Sequence, residues 1–63
     1  MMYLTVKFKL TGEFFYMNTP VLNANFGKYM TDVKMLSGKW VVLNHLYNAI
    51  IISNEPIRGL EKC

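Results

Sequence analysis

Met2, Leu4, Val6, Phe8 and Leu10 alternate with Tyr3, Thr5, Lys7 and Lys9, the period-two pattern of a strand that buries one face. Thr11-Gly12 breaks the pattern, and glycine is suited to the positive φ of a hairpin turn or its bulge. Phe14, Phe15, Tyr16 and Met17 follow as a second strand, apolar on both faces and hence central or covered by a partner. Asn18-Thr19-Pro20 predicts the end of that strand and a helical turn, with Asn18 or Thr19 as cap and Pro20 at the first helical position. Leu22, Phe26 and Met30 have helical spacing, but Asn23, Asn25 and Gly27 oppose a longer helix. A short return strand near Ala24 to Phe26 is the expected alternative.

The pattern then starts again. Tyr3-Leu4-Thr5, Leu10-Thr11-Gly12, Phe14, Met17 and Asn18 recur 26 positions later as Tyr29-Met30-Thr31, Leu36-Ser37-Gly38, Trp40, Leu43 and Asn44. One deletion brings Asn23-Ala24 onto Asn48-Ala49. The constant offset sets Val6 and Phe8 against Asp32 and Lys34, whereas Val33 and Met35 form the apolar face of the second unit. The buried face has therefore slipped by one residue, which calls for a bulge near Thr31 or Asp32. Ser37-Gly38-Lys39 is the second predicted hairpin turn, and Trp40 to Leu43 the strand that follows it. Ala49-Ile50-Ile51-Ile52, rich in β-branched residues, reads as a buried strand; a short helix over Asn44 to Ile52 is the competing assignment. Ile57 and Leu60, three apart, predict a C-terminal helical turn.

These elements define an all-β, mainly antiparallel class: a small barrel or sandwich of five or six strands. It would be one domain over residues 1–63, built from three-stranded units at 3–26 and 29–52, with a terminal turn and tail at 53–63. An SH3-like or OB-like outline suits the length. The succession of strand, glycine turn, strand and asparagine turn resembles stretches of many small bacterial and phage proteins and singles out no family.

Composition changes the picture in one respect. The chain has 63 residues, 52% of them hydrophobic, and so small a domain buries only about 60% of the surface its unfolded chain exposes. Some apolar side chains must remain outside, and contiguous ones mark a contact site. One cysteine, Cys63, cannot form an intrachain disulfide, and one histidine with one cysteine falls short of a structural zinc site. Of the usual supports for a small fold, oligomerisation remains. The net charge of +3 permits contact with nucleic acid without requiring it. Lys7 and Lys9 interrupt any leader-like apolar run, and the lone thiol suits a reducing cytosol.

The candidate catalytic groups, His45, Cys63, Asp32, Glu13, Glu55 and Glu61, are scattered without motif spacing, and no phosphate-binding glycine loop is present. The expectation is a non-enzymatic binding module with no cofactor, metal, membrane or small-molecule substrate. Protein association, with itself or a larger regulatory or host protein, is expected through Phe15, Tyr16, Met17, Val41 and Tyr47, because aromatics and methionine are enriched at interface centres. Trp40 is expected in the core. The alternative is single-stranded nucleic-acid binding, with Tyr3 and Tyr29 stacking on bases and Lys7, Lys9, Lys28 and Lys34 meeting phosphates.

Overall fold

Five strands, β1 (Met2–Phe8), β2 (Phe14–Phe26), β3 (Met30–Met35), β4 (Trp40–Asn44) and β5 (Asn48–Ser53), make up a computed structural model that describes residues 1–60. All pairings are antiparallel, in one sheet of order β4-β3-β2-β1-β5. There is no helix among the described residues, hence none long and apolar enough to cross a membrane. β4 and β5 are the two edges and do not pair with each other. The architecture is thus a single open sheet rather than a sandwich or a closed barrel. β5, expected as the third strand of the second unit, pairs instead with β1 across the two units.

Only residues 45–47 connect β4 to β5. A flat five-stranded sheet is about 19 Å across, and the link from Asn44 to Asn48 reaches at most about 14 Å. The sheet must therefore curl until its edges meet at that corner. Its concave face holds the core: Leu4, Val6, Val21, Val33 and Leu43 are buried, with Met2, Tyr16, Ala24, Met35, Val41, Ile50 and Ile52 packed around them.

The alternation read in β1 holds at Leu4 and Val6 but fails at Thr5 between them, which is buried, and at Leu10, which lies in the turn and is 77% exposed. The register shifts fall between Leu4 and Val6 and between Val6 and Lys7, in the β1–β2 pairing, and between Val21 and Asn23 of β2. The β3–β4 ladder runs without a shift from Met30↔Asn44 to Lys34↔Trp40, so the irregularities lie in the β1–β2 and β2–β3 pairings and not near Thr31 or Asp32. Gly12 and Gly38 both adopt positive φ, 77° and 90°. Val6↔Tyr16 and Asp32↔Val42 are facing pairs 26 residues apart.

Two local expectations are corrected. Asn18-Thr19-Pro20 is not a helical turn: β2 passes through it unbroken for 13 residues. Pro20 is tolerated because β2 is flanked there by β1 alone, its pairing with β3 beginning at Val21, so its missing N–H breaks no ladder. At the C-terminus, Arg58 to Leu60 form a turn with Gly59 at φ 81°, a conformation incompatible with a helix. Between Asn44 and Ile52 the chain makes a turn and a strand, not a helix.

Asn18 is the residue that ties these pieces together. It is buried and has φ 49°, the one positive value outside glycine among the described residues, and asparagine tolerates this left-handed region better than most side chains. Its N–H donates to the Thr5 hydroxyl at 3.2 Å. Its side-chain amide donates to the Ile57 carbonyl at 3.0 Å and accepts from the Ile57 N–H at 2.7 Å. The C-terminal segment is thereby bound to the middle of β2 as a neighbouring strand would be. Asn18→Gly keeps the backbone conformation and removes both bonds to Ile57; the expected loss is about 1–3 kcal/mol, with accelerated amide exchange at Ile57. Full Ile57 protection in the variant, read by hydrogen exchange, would mean that another contact holds the segment.

Candidate functional site

The corner where β4 turns into β5 gathers most of the side chains that could act on another molecule. The Asn44 side-chain oxygen accepts from the Tyr47 N–H at 2.9 Å, and the Asn48 amide donates to the Asn44 carbonyl at 3.1 Å. Two backbone bonds dock this turn on the rest of the sheet: His45 N–H to the Tyr29 carbonyl at 2.9 Å, and Lys9 N–H to the Tyr47 carbonyl at 2.8 Å. The Lys9 ammonium adds a bond of 2.9 Å to the His45 carbonyl. The turn is pinned between the start of β3 and the end of β1, so the side chains it projects have fixed positions.

His45 is half-buried, and its Nε2 shares a hydrogen bond of 2.6 Å with the hydroxyl of buried Thr31. Its ring lies 6.1 Å from that of Phe26. Phe8 bridges Phe15 and Tyr47, at centroid distances of 5.7 and 6.4 Å with the rings tilted. The Lys28 ammonium stands 5.5 Å from the Tyr29 ring centre, within cation–π range. Tyr29, Met30, Asn44, His45, Leu46 and Tyr47 line an open cleft of about 570 Å³. Phe15 is 58%, Tyr29 70% and Leu46 71% exposed, so the corner is a broad aromatic surface with lysines beside it.

The residues expected to form an interface divide into two sets. Phe15 and Tyr47 converge through Phe8, and Met17 is exposed on β2, whereas Tyr16 and Val41 turn inward and pack on the core. Among the nucleic-acid candidates, Lys9, Lys28 and Tyr29 share the corner. Lys7 lies 5.8 Å from the Phe14 ring on the first hairpin, and Lys34 is half-buried opposite Trp40 on β3. Tyr3 is half-buried at the far end of β1, opposite Pro20 and Ser53. The strand from Tyr3 to Lys9 covers about 20 Å, so Tyr3 and Tyr29 do not form one platform.

Trp40 is a correction: it is 46% exposed on edge strand β4 rather than in the core, because β4 turns Val41 and Leu43 inward and Trp40 and Val42 outward. His45, Phe26 and Leu46 join the corner without having been singled out as contact residues. No group of three His, Cys, Asp or Glu placed to hold a metal exists among the described residues; Cys63 lies outside them. Comparison of the chain with protein-family models, with curated proteins and with solved structures finds no match.

Proposed function

We infer that the protein is a non-enzymatic association module of the cytoplasm that binds protein through the aromatic corner at the β4–β5 turn. The observation that carries this reading is the exposure of Phe15, Phe26, Tyr29, Leu46 and Tyr47 around a turn whose backbone is pinned from both sides. A rigid apolar surface loses little conformational entropy on binding, and aromatic anchors supply most of the energy at interfaces of this kind. The cleft between Tyr29 and Leu46 suits an apolar side chain of a partner, while Lys9 and Lys28 favour acidic groups at its margin. Barrel closure, the finer form of the expected fold, belongs to this reading as well, since a partner strand could supply what the open sheet lacks.

Leu46→Glu and Phe15→Glu replace exposed side chains, so both variants should fold with unchanged circular dichroism. Each of these substitutions at an anchor is expected to weaken binding by about 1–3 kcal/mol, roughly five- to 150-fold. Affinity capture from the source cell, quantified by mass spectrometry for wild type and double variant, reads this directly. Equal recovery of every retained protein by the two forms would remove the corner as the binding surface.

A second reading has its own observation. Lys28 over Tyr29 places a cation next to a ring face, and Lys9, bound to the His45 carbonyl, adds a second cation at the corner; rings and cations together are how single-stranded nucleic acid is held. On this reading a labelled oligonucleotide binds with an affinity that falls steeply between low and moderate salt, and Tyr29→Ala with Lys28→Ala abolishes it. Anisotropy that stays flat at low salt would dismiss it.

A further inference from the structure

The free edge of β5 has features that an edge exposed to water rarely keeps. Soluble proteins protect such edges with lysine, proline or bulges. β5, Asn48-Ala49-Ile50-Ile51-Ile52-Ser53, contains no charge and no proline, and its ladder with β1 has no bulge. Three consecutive isoleucines on an edge otherwise invite uncontrolled pairing. The edge borders an open groove whose other wall includes Phe26 and His45, and Ile51 is 48% exposed. Among the described residues, the two buried side-chain polar atoms without a hydrogen-bond partner, Asn48 Oδ1 and Ser53 Oγ, both belong to this strand. Buried polar groups are ordinarily satisfied, and both of these exceptions lie at the two ends of β5.

The direction of its backbone groups follows from the ladder. Lys9 donates to Tyr47 in continuation of the β1–β5 register, while Phe8 donates to Glu13 on the β2 side. Hydrogen-bonded and non-hydrogen-bonded pairs alternate in an antiparallel ladder. Tyr47, Ala49, Ile51 and Ser53 therefore bond toward β1, and Asn48, Ile50 and Ile52 point their N–H and C=O groups outward.

We propose that β5 pairs antiparallel with β5 of a second copy of this chain about a twofold axis at Ile50. A twofold axis perpendicular to the sheet makes two copies of one strand antiparallel and keeps their faces matched. Centred on Ile50, it sets Asn48 opposite Ile52 of the second copy and Ala49 opposite Ile51. All three outward-facing residues of each strand are then used, giving about six new backbone hydrogen bonds. Every facing side-chain pair is uncharged. The same surface supplies both halves, and a 63-residue chain with one cysteine gains the support that small folds need. A contact of this size is modest, and dissociation is expected at about micromolar concentration.

The register has an electrostatic signature. Lys7 is paired with Ala49 in β1–β5, so Ile51 of one copy would lie next to Ala49 of the other and, one strand beyond, its Lys7. Ile51→Lys brings like charges together across the axis and is expected to weaken the dimer at least about tenfold, whereas Ile51→Glu, facing the same lysine, is expected to weaken it less. Val42→Lys, on the opposite edge, should leave it unchanged. Sedimentation velocity over a concentration series reads all four proteins. A monomeric wild type, a wild type larger than a dimer, equal losses in Ile51→Lys and Ile51→Glu, or a loss in Val42→Lys would each overturn the proposal. Should the Ile51 variants fail to fold, Ala49→Cys with Ile51→Cys in a Cys63→Ser background decides: these positions face each other at about 4.5 Å between Cα atoms, within disulfide reach. A covalent dimer on oxidation supports the pairing, and a monomer refutes it. None of these substitutions changes Phe15 or Leu46, so failure here and failure of the aromatic corner are read separately.

Discussion

The three-residue link from Asn44 to Asn48 constrains everything else in this molecule. It joins the two outermost strands of a five-stranded sheet, and no flat sheet can satisfy it. The curl it imposes gives one sheet an inside, so that Leu4 and Val6 of the central hairpin can meet Val33 and Leu43 from the far strands. A curled sheet has to bend its longest strand, and β2 bends where the register shifts and where Asn18 takes its positive φ. The link, the bend and the core are consequences of one geometric demand.

That demand also explains the polar groups inside. Where β1 and β2 fall out of step, backbone groups lose their ladder partners, and buried backbone groups without partners are costly. Thr5 supplies one replacement acceptor, to Asn18, and the Asn18 amide supplies a donor and an acceptor to Ile57. Thr31, 26 residues beyond Thr5, bonds the His45 ring instead of a backbone group. Both threonines are buried, and these hydrogen bonds offset the cost of burying their hydroxyls. With five hydrophobic side chains buried among the described residues, such polar ties contribute a larger share of specificity than they do in a bigger domain.

How much of this was legible follows from range. The alternation of β1, the glycines of both hairpins and the β-branched run of β5 are local patterns, and they mark strands wherever the strands go. The continuity of β2 was not legible, because Asn18 and Pro20 look like a cap and a first helical residue unless β1 is known to lie beside them. Trp40 was misplaced for a related reason: which face of β4 turns inward depends on its pairing with β3, and Trp40-Val41-Val42-Leu43 is apolar on both faces. At the corner, Phe15 and Tyr47 stood out through composition alone. His45 did not, since its partner Thr31 lies 14 residues away and the contact depends on the register in which β4 pairs with β3.

The distribution of charge is the remaining step. Within the strands, charged side chains are confined to Lys7 of β1 and Asp32 and Lys34 of β3; β2, β4 and β5 contain none, and the other lysines, acids and the arginine lie in the hairpin turns and the C-terminal segment. In a protein with nine aromatic residues, 14% of the chain, solubility would be served best by placing charges on the edges, where backbone groups are already free to pair. They lie instead on two inner strands, in the hairpin turns and in the C-terminal segment, and the two strands that lack a neighbour are left without charge. A sheet arranged in this way leaves two uncharged edges unpaired, and the same curl that builds its core brings those edges to one corner.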